Sequence, residues 1–191
     1  MSPLFDSNEY IVTLGESWDK QPFQGFPPQL KPFGVTKNIS YAINLEAQTT
    51  ISTHAKKTPN VEVGGLLLGE VYQQQESYFV NITDVLPAKH TQAGALDITF
   101  TGQTWLDLIA DRSHYPEKIT VGWYHSHPGI GVFFSTQDLF THRSFFANKP
   151  WYIALVIDPK SGEQGVFVWD GDRIVSCPIS SISLKRSDRS R

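Results

Sequence analysis

The chain has 191 residues, 40% hydrophobic and 18% charged, with a formal net charge of −3 at pH 7. That length suits one domain with a substantial core, and the charge offers no basic field for nucleic acid. The single cysteine, Cys177, excludes an intrachain disulfide and a cysteine-based zinc site. No apolar run approaches a membrane span, and Met1–Gly15 lacks a signal peptide's basic start and apolar core, so a soluble cytoplasmic protein is expected.

Residues 1–38 hold five of the twelve prolines and six aromatics: Phe5, Tyr10, Trp18, Phe23, Phe26 and Phe33. Proline argues against regular helix and the aromatics against a purely solvated tail. Two readings stand: an extended arm packed on the domain's own surface, or a docking segment for another protein. Ile39, Tyr41, Ile43 and Leu45 then alternate with Asn38, Ser40, Ala42 and Asn44 as a half-buried strand. Ala47, Ile51 and Ala55 recur every four residues, so a helix is expected over 46–58, stopped by Pro59, with His54 a packing or surface residue. From Val61 to Val71 the chain is nearly all apolar or glycine, a buried central strand with Glu62 conspicuous at its beginning.

Tyr78–Leu86 makes the next strand, reached through the polar turn Gln73–Ser77. Pro87–Thr104 reads as polar and irregular, bent at Gly94 and Gly102. Trp105, Leu108, Ile109 and Arg112 have helical spacing, which places a second helix over about 103–114, ending near Pro116. A third helix opens at Ser135 and is expected to turn Leu139, Phe140, Phe146 and Ala147 inward before Pro150 breaks it. Trp151–Ile157, Val166–Trp169 and Ile174–Ile179 are further strands, with turns at 158–162 and Asp170-Gly171. The tail Lys185–Arg191 carries four basic residues against one aspartate and reads as a disordered end. The expected class is α/β, a mostly antiparallel curved sheet flanked by helices. Residues 39–184 would form the domain, between an N-terminal extension (1–38) and the basic tail (185–191).

The chemistry concentrates between the last two of these helices. Ile119, Val121, Trp123, His125 and His127 alternate with Thr120, Gly122, Tyr124 and Ser126, so both histidines leave one face of a strand. Pro128 cannot extend a sheet ladder, which leaves His127 at an open rim. Seven residues later Ser135 opens a helix, with Asp138 one turn in. Two imidazoles and a carboxylate could hold one zinc ion and leave a fourth position for water, the catalytic rather than the structural arrangement. Each piece has a plainer reading: Ser135-x-x-Asp138 as a helix cap, and His-x-His as strand packing.

Together the pieces resemble the JAMM motif of the MPN/JAB metalloprotease family: a glutamate, then His-Ser-His, seven residues beginning with Pro128, and Ser-x-x-Asp. The resemblance extends through Gly122-Trp123-Tyr124 and Pro128-Gly129, and upstream to Glu62-Val63-Gly64-Gly65-Leu66-Leu67-Leu68-Gly69, over about residues 39–170. It implies the MPN fold, which is cytidine-deaminase-like, and is similar to the eukaryotic deubiquitinating and deneddylating members. It further implies one Zn²⁺ per chain, held by His125, His127 and Asp138. Glu62 would be the general base and Ser135 the donor to the oxyanion.

The implied substrate is an isopeptide bond to the C-terminal glycine of ubiquitin or a ubiquitin-like protein, its tail held by strand addition near Pro87–Thr104. Conjugates, and the matching activating and conjugating enzymes, are the implied partners. Nucleic acid and membrane are not. Two features depart from some relatives: Val132-Phe133-Phe134 follows Gly131 where they place a cysteine, and no insertion follows Asp138. This compact frame is more similar to stand-alone bacterial or archaeal members. Three other readings remain open: a peptidase exposing the C-terminal glycine of a ubiquitin-like or sulfur-carrier protein, a non-catalytic MPN scaffold, and a zinc hydrolase acting on another substrate such as a cell-wall peptide.

Overall fold

A computed structural model describes residues 22–26, 32, 34–93 and 98–178. The expectations for the start of the N-terminal arm, for Ile179 and for the basic tail lie outside the described residues. In chain order the strands are β1 (Phe23–Gln24), β2 (Gly34–Val35), β3 (Ile39–Ile43), β4 (Gly64–Gln74), β5 (Ser77–Pro87), β6 (Gln92–Ala93), β7 (Ile98–Thr99), β8 (Ile119–Ser126), β9 (Ile153–Ile157), β10 (Gln164–Asp170) and β11 (Arg173–Cys177). The helices are α1 (Leu45–Lys57), α2 (Gly102–Arg112) and α3 (Thr136–Phe145). One sheet runs in the order β11-β10-β9-β8-β4-β5-β3-β2. Its β8–β9 and β3–β5 pairs are parallel and the others along this path antiparallel. The α/β class is as expected: the sheet is mixed, with more antiparallel than parallel pairs.

The eleven residues of β4 organise this sheet. One edge pairs with β5 along nearly its whole length. The other is shared: β8 covers Gly64–Gly69, and β1 adds in parallel opposite Tyr72 and Gln73. The described part of the proline- and aromatic-rich arm therefore lies on the domain itself, with Phe23 5.3 Å from Tyr72 and Phe26 5.9 Å from Phe79 between ring centroids.

All eight residues of β8 are buried, which requires cover on both faces. Adjacent side chains on a strand point oppositely. Tyr124 meets α1, where its hydroxyl lies 2.7 Å from His54 Nδ1, whereas Trp123 meets α3 through His142. The helices α1 and α3 thus lie on opposite faces. The β4–β8 register slips between Leu67 and Leu68, leaving Val121 as the extra residue of a bulge beside Gly122. A Cβ at Gly122 would run into the Ile153 carbonyl oxygen, so this close strand approach needs glycine.

Three expectations are corrected. Leu45 is not a strand residue: the Asn44 side chain accepts the Ala47 N–H at 2.7 Å and starts α1, leaving Leu45 77% exposed. Phe140 and Ala147 do not face inward. Asp138, Thr141 and His142 occupy the inner face of α3, so Phe140, two residues and about 200° from Asp138, is 65% exposed. Gly102 is not a bend but the first residue of α2, capped reciprocally by Thr101 and Thr104. Around it, β6 and β7 form a short ribbon, and Ile98 and Phe100 are buried. No helix among the described residues is long and apolar enough to cross a membrane.

Candidate metal centre

The site lies where β8 runs out beyond its ladder with β4. Gly64 pairs with His125, and the pairing continues one step: the Ser126 N–H donates to the Val63 carbonyl at 2.8 Å and the Val63 N–H to Ser126 Oγ at 3.0 Å. This brings Glu62 beside His127, whose own N–H is held by the Ile157 carbonyl at 2.8 Å. His125 and His127 share one face, their Nε2 atoms 3.1 Å apart. From α3, Asp138 places Oδ1 3.1 Å from His125 Nε2 and Oδ2 3.5 Å from His127 Nε2. Glu62 Oε1 is 3.9 Å from His127 Nε2, and all four residues are buried.

This arrangement fits a metal ion. A tetrahedral ion with bonds of about 2.0–2.1 Å needs ligand atoms about 3.3–3.4 Å apart; here the His125 Nε2 atom is 3.1 Å from both His127 Nε2 and Asp138 Oδ1, and one ligand atom from each of the three residues lies within 4.8 Å of the others. Two buried imidazole nitrogens this close, with a carboxylate between them, require a proton or a cation in their midst. Without metal, burial pulls the His125 imidazolium down more than Asp138 lifts it, so its pKa falls below the ordinary histidine value. Burial also lowers His127, but Asp138 and Glu62 outweigh it and raise that ring. Burial works to raise Asp138, yet its bonds with His125, His127 and Ser135 hold it well below the usual carboxylate range. An ionised Asp138 and a neutral His125 are the forms that a cation binds.

Ser135 and Asp138 form the helix cap that was one of the readings given to them. Ser135 Oγ accepts the Asp138 N–H at 3.1 Å, and Asp138 Oδ2 accepts the Ser135 N–H at 2.7 Å, a reciprocal cap. The same carboxylate faces the histidines. Because Ser135 Oγ accepts in the cap, its own O–H proton is left to donate outward.

Sequence reasoning missed two residues beside this group. Asp158, read only as part of a turn, accepts the N–H groups of Gly129 at 3.0 Å, Gly131 at 3.1 Å and Lys160 at 2.8 Å. It thereby fixes the loop leaving His127. Burial opposes its ionisation, but these N–H bonds outweigh it and lower the carboxyl's pKa. His142 lies one turn beyond Asp138 and accepts the Trp123 indole N–H at 2.9 Å; burial, then His125, push its pKa down to about 3. The i, i+4 spacing from Asp138 was the available signal. Phe133 lies 4.6 Å from the His127 ring and is 44% exposed, forming an apolar rim. Next to it a cleft of about 780 Å³ opens along Ser135, Leu139, Phe167 and Arg173.

Fold and site together define a mixed α/β domain with a His-His-Asp group at a strand end that could hold a metal ion. Residues 37–150 match the family described as JAB1/Mov34/MPN/PAD-1 ubiquitin protease, and the chain belongs to that family. It is 34% identical over 157 residues to the Drosophila melanogaster 26S proteasome non-ATPase regulatory subunit 14, covering 80% of this chain and 49% of the relative. It is 32% identical over 144 residues to the Saccharomyces cerevisiae ubiquitin carboxyl-terminal hydrolase RPN11, covering 73% of this chain and 45% of that protein. The chain thus spans about half the length of these relatives. A solution structure of a Desulfitobacterium hafniense protein shares the fold with a TM-score of 0.54 at 20% identity, over 71% of this chain and 88% of that one.

Proposed function

We propose that the chain is a zinc-dependent isopeptidase that removes ubiquitin or a ubiquitin-like protein from conjugates. The observation that carries this reading is the meeting of Glu62 with His125, His127 and Asp138 in one buried cluster, 3.9 Å being the widest of the four contacts among them. Family membership supports the substrate class. His125, His127 and Asp138 would hold the ion. Bound there, Zn²⁺ supplies Lewis acidity, lowering the pKa of water toward about 7 and polarising a carbonyl.

The chain's own residues do the rest. Glu62, outside the ligand set, takes a proton from the attacking water as the C–O bond forms. It returns that proton to the lysine amine as the C–N bond breaks. Ser135 donates its hydroxyl proton to the carbonyl oxygen as negative charge develops there, a contribution of about 3–4 kcal/mol in comparable sites. The segment 87–104 has described residues beside the site, since the Ala88 N–H bonds the Gly64 carbonyl at 2.8 Å and Ile98 and Phe100 pack on Gly64. It would hold the modifier's extended tail by strand addition. The catalytic unit would be 39–184, acting as a soluble cytoplasmic protein, with the matching activating and conjugating enzymes as further partners.

The test uses the zinc-loaded chain on ubiquitin joined through its terminal glycine to a fluorogenic amine. Cleavage should stop with chelator and return with zinc. Glu62→Gln should keep zinc and fold yet lose about 10²–10⁴-fold in turnover. Near wild-type turnover in that variant removes Glu62 as the base, and no zinc-dependent cleavage of this substrate by the wild type overturns the ubiquitin isopeptidase reading.

A further inference from the structure

Of the polar residues on the inner face of α3, Asp138 and His142 each meet a β8 side chain, and only Asp138 belongs to the metal group. Asp138 and His142 are four residues apart, about 6 Å along a helix. His125 and Trp123 are two residues apart, about 6.6 Å along a strand. The spacings match, so helix and strand meet through two rungs: Asp138 Oδ1 to His125 Nε2 at 3.1 Å, and Trp123 Nε1–H to His142 Nδ1 at 2.9 Å. The loop closes along the strand, where the Trp123 indole lies nearly flat on the His125 imidazole, 4.5 Å between centroids and 16° between planes.

His142 is 0% exposed, its ring packed by Phe134 at 5.8 Å, Phe146 at 5.8 Å and Trp169 at 4.9 Å. Because Nδ1 accepts from Trp123, the ring proton sits on Nε2, which has no hydrogen-bond partner among the described residues. A buried imidazole with one nitrogen unpaired packs less favourably than an apolar side chain of similar volume. The bond to Trp123 is what the position gains from a histidine.

We infer that His142 is a positioning residue for the metal centre: by holding Trp123 flat on His125, it fixes the helix register that presents Asp138 to both histidines. This rests on the reading that His125, His127 and Asp138 hold a metal ion. Outer partners of this kind change metal affinity by about 10–100-fold when removed.

The experiment measures Zn²⁺ and Co²⁺ affinity of the full chain by chelator competition, together with the visible spectrum of the Co²⁺ form. His142→Leu removes the acceptor but keeps the volume, whereas His142→Asn keeps an oxygen near the Nδ1 position but leaves a void. Positioning through the bond predicts that His142→Leu weakens affinity about 10–100-fold and shifts the Co²⁺ bands, while His142→Asn stays close to wild type. A packing role predicts the reverse order. Should His142→Leu fail to fold, Trp123→Phe decides, since it keeps the stacking ring and removes only the donor; it should loosen the ion by a similar factor. An affinity order with Leu at or above Asn, or Trp123→Phe binding like wild type, overturns the positioning role alone. A wild type that binds neither ion overturns the metal reading itself.

Discussion

Replacing Asp158 tests how the loop after His127 is held, independently of any activity. The carboxylate is buried and divides its work: Oδ1 accepts from Gly129 and Lys160, Oδ2 from Gly131. Orphaning a buried N–H costs about 1–3 kcal/mol. Water can replace part of that at the exposed Gly129 and Lys160, so Asp158→Ala should destabilise by about 2–3 kcal/mol in total, from the lower end of that range. Asp158→Asn with its oxygen at the Oδ1 position keeps the bonds from Gly129, Lys160 and Ser161, loses only the one from Gly131, and should cost less than half as much. The carboxyl's pKa is lowered in the folded state. Its contribution is therefore present above the unfolded value of about 4 and lost as the pH falls through the folded value. The gap between wild type and Asp158→Ala should thus be flat from about pH 6 to 8 and shrink on acidification. Urea unfolding of the chelator-treated protein reads both effects. A difference below about 0.5 kcal/mol at neutral pH, within the range of ordinary surface substitutions, would show that the loop does not depend on this carboxylate.

Two further predictions concern the core and the substrate segment. Phe146→Ala should cost about 3–5 kcal/mol, since the ring is 0% exposed and packs on Trp123, whereas Phe140→Ser should stay within about 0.5 kcal/mol; equal losses would mean α3 is turned otherwise. Adding ubiquitin to the Glu62→Gln variant should increase hydrogen-exchange protection in 88–93 and 98–101, and unchanged exchange at saturation would move the tail's binding elsewhere. Exchange is the better probe here than substitution, because Phe100 is buried against Trp105 at 5.4 Å and Thr101 caps α2, so changing them would damage the fold as well.

Around the site β3 and β8 were legible because apolar side chains alternate there, β4 and β9 because short continuous apolar runs suit strands buried on both faces, and α1 because Ala47, Ile51 and Ala55 repeat at four. The grouping of His125, His127 and Asp138 was legible because a strand's period and a helix's first turn fix where those side chains go. Position-specific errors came from short polar residues with local roles. Asn44 starts a helix in place of extending a strand, and the mixed polar and apolar face of α3 concealed its true inward side. Asp158 escaped notice because an aspartate in a turn carries no mark of the backbone it will bind twenty-nine residues upstream. His142 escaped because its partner Trp123 reads as ordinary core in a strand of buried residues.

The most direct test of the account is the metal content of the purified chain. Metal analysis after dialysis against buffered zinc should give close to one zinc per chain, with most of it lost in His127→Ala and in Asp138→Ala while both variants stay folded by circular dichroism. Zinc content unchanged in folded His127→Ala, or no zinc retained by the wild type, would contradict the assignment of His125, His127 and Asp138 as one metal centre.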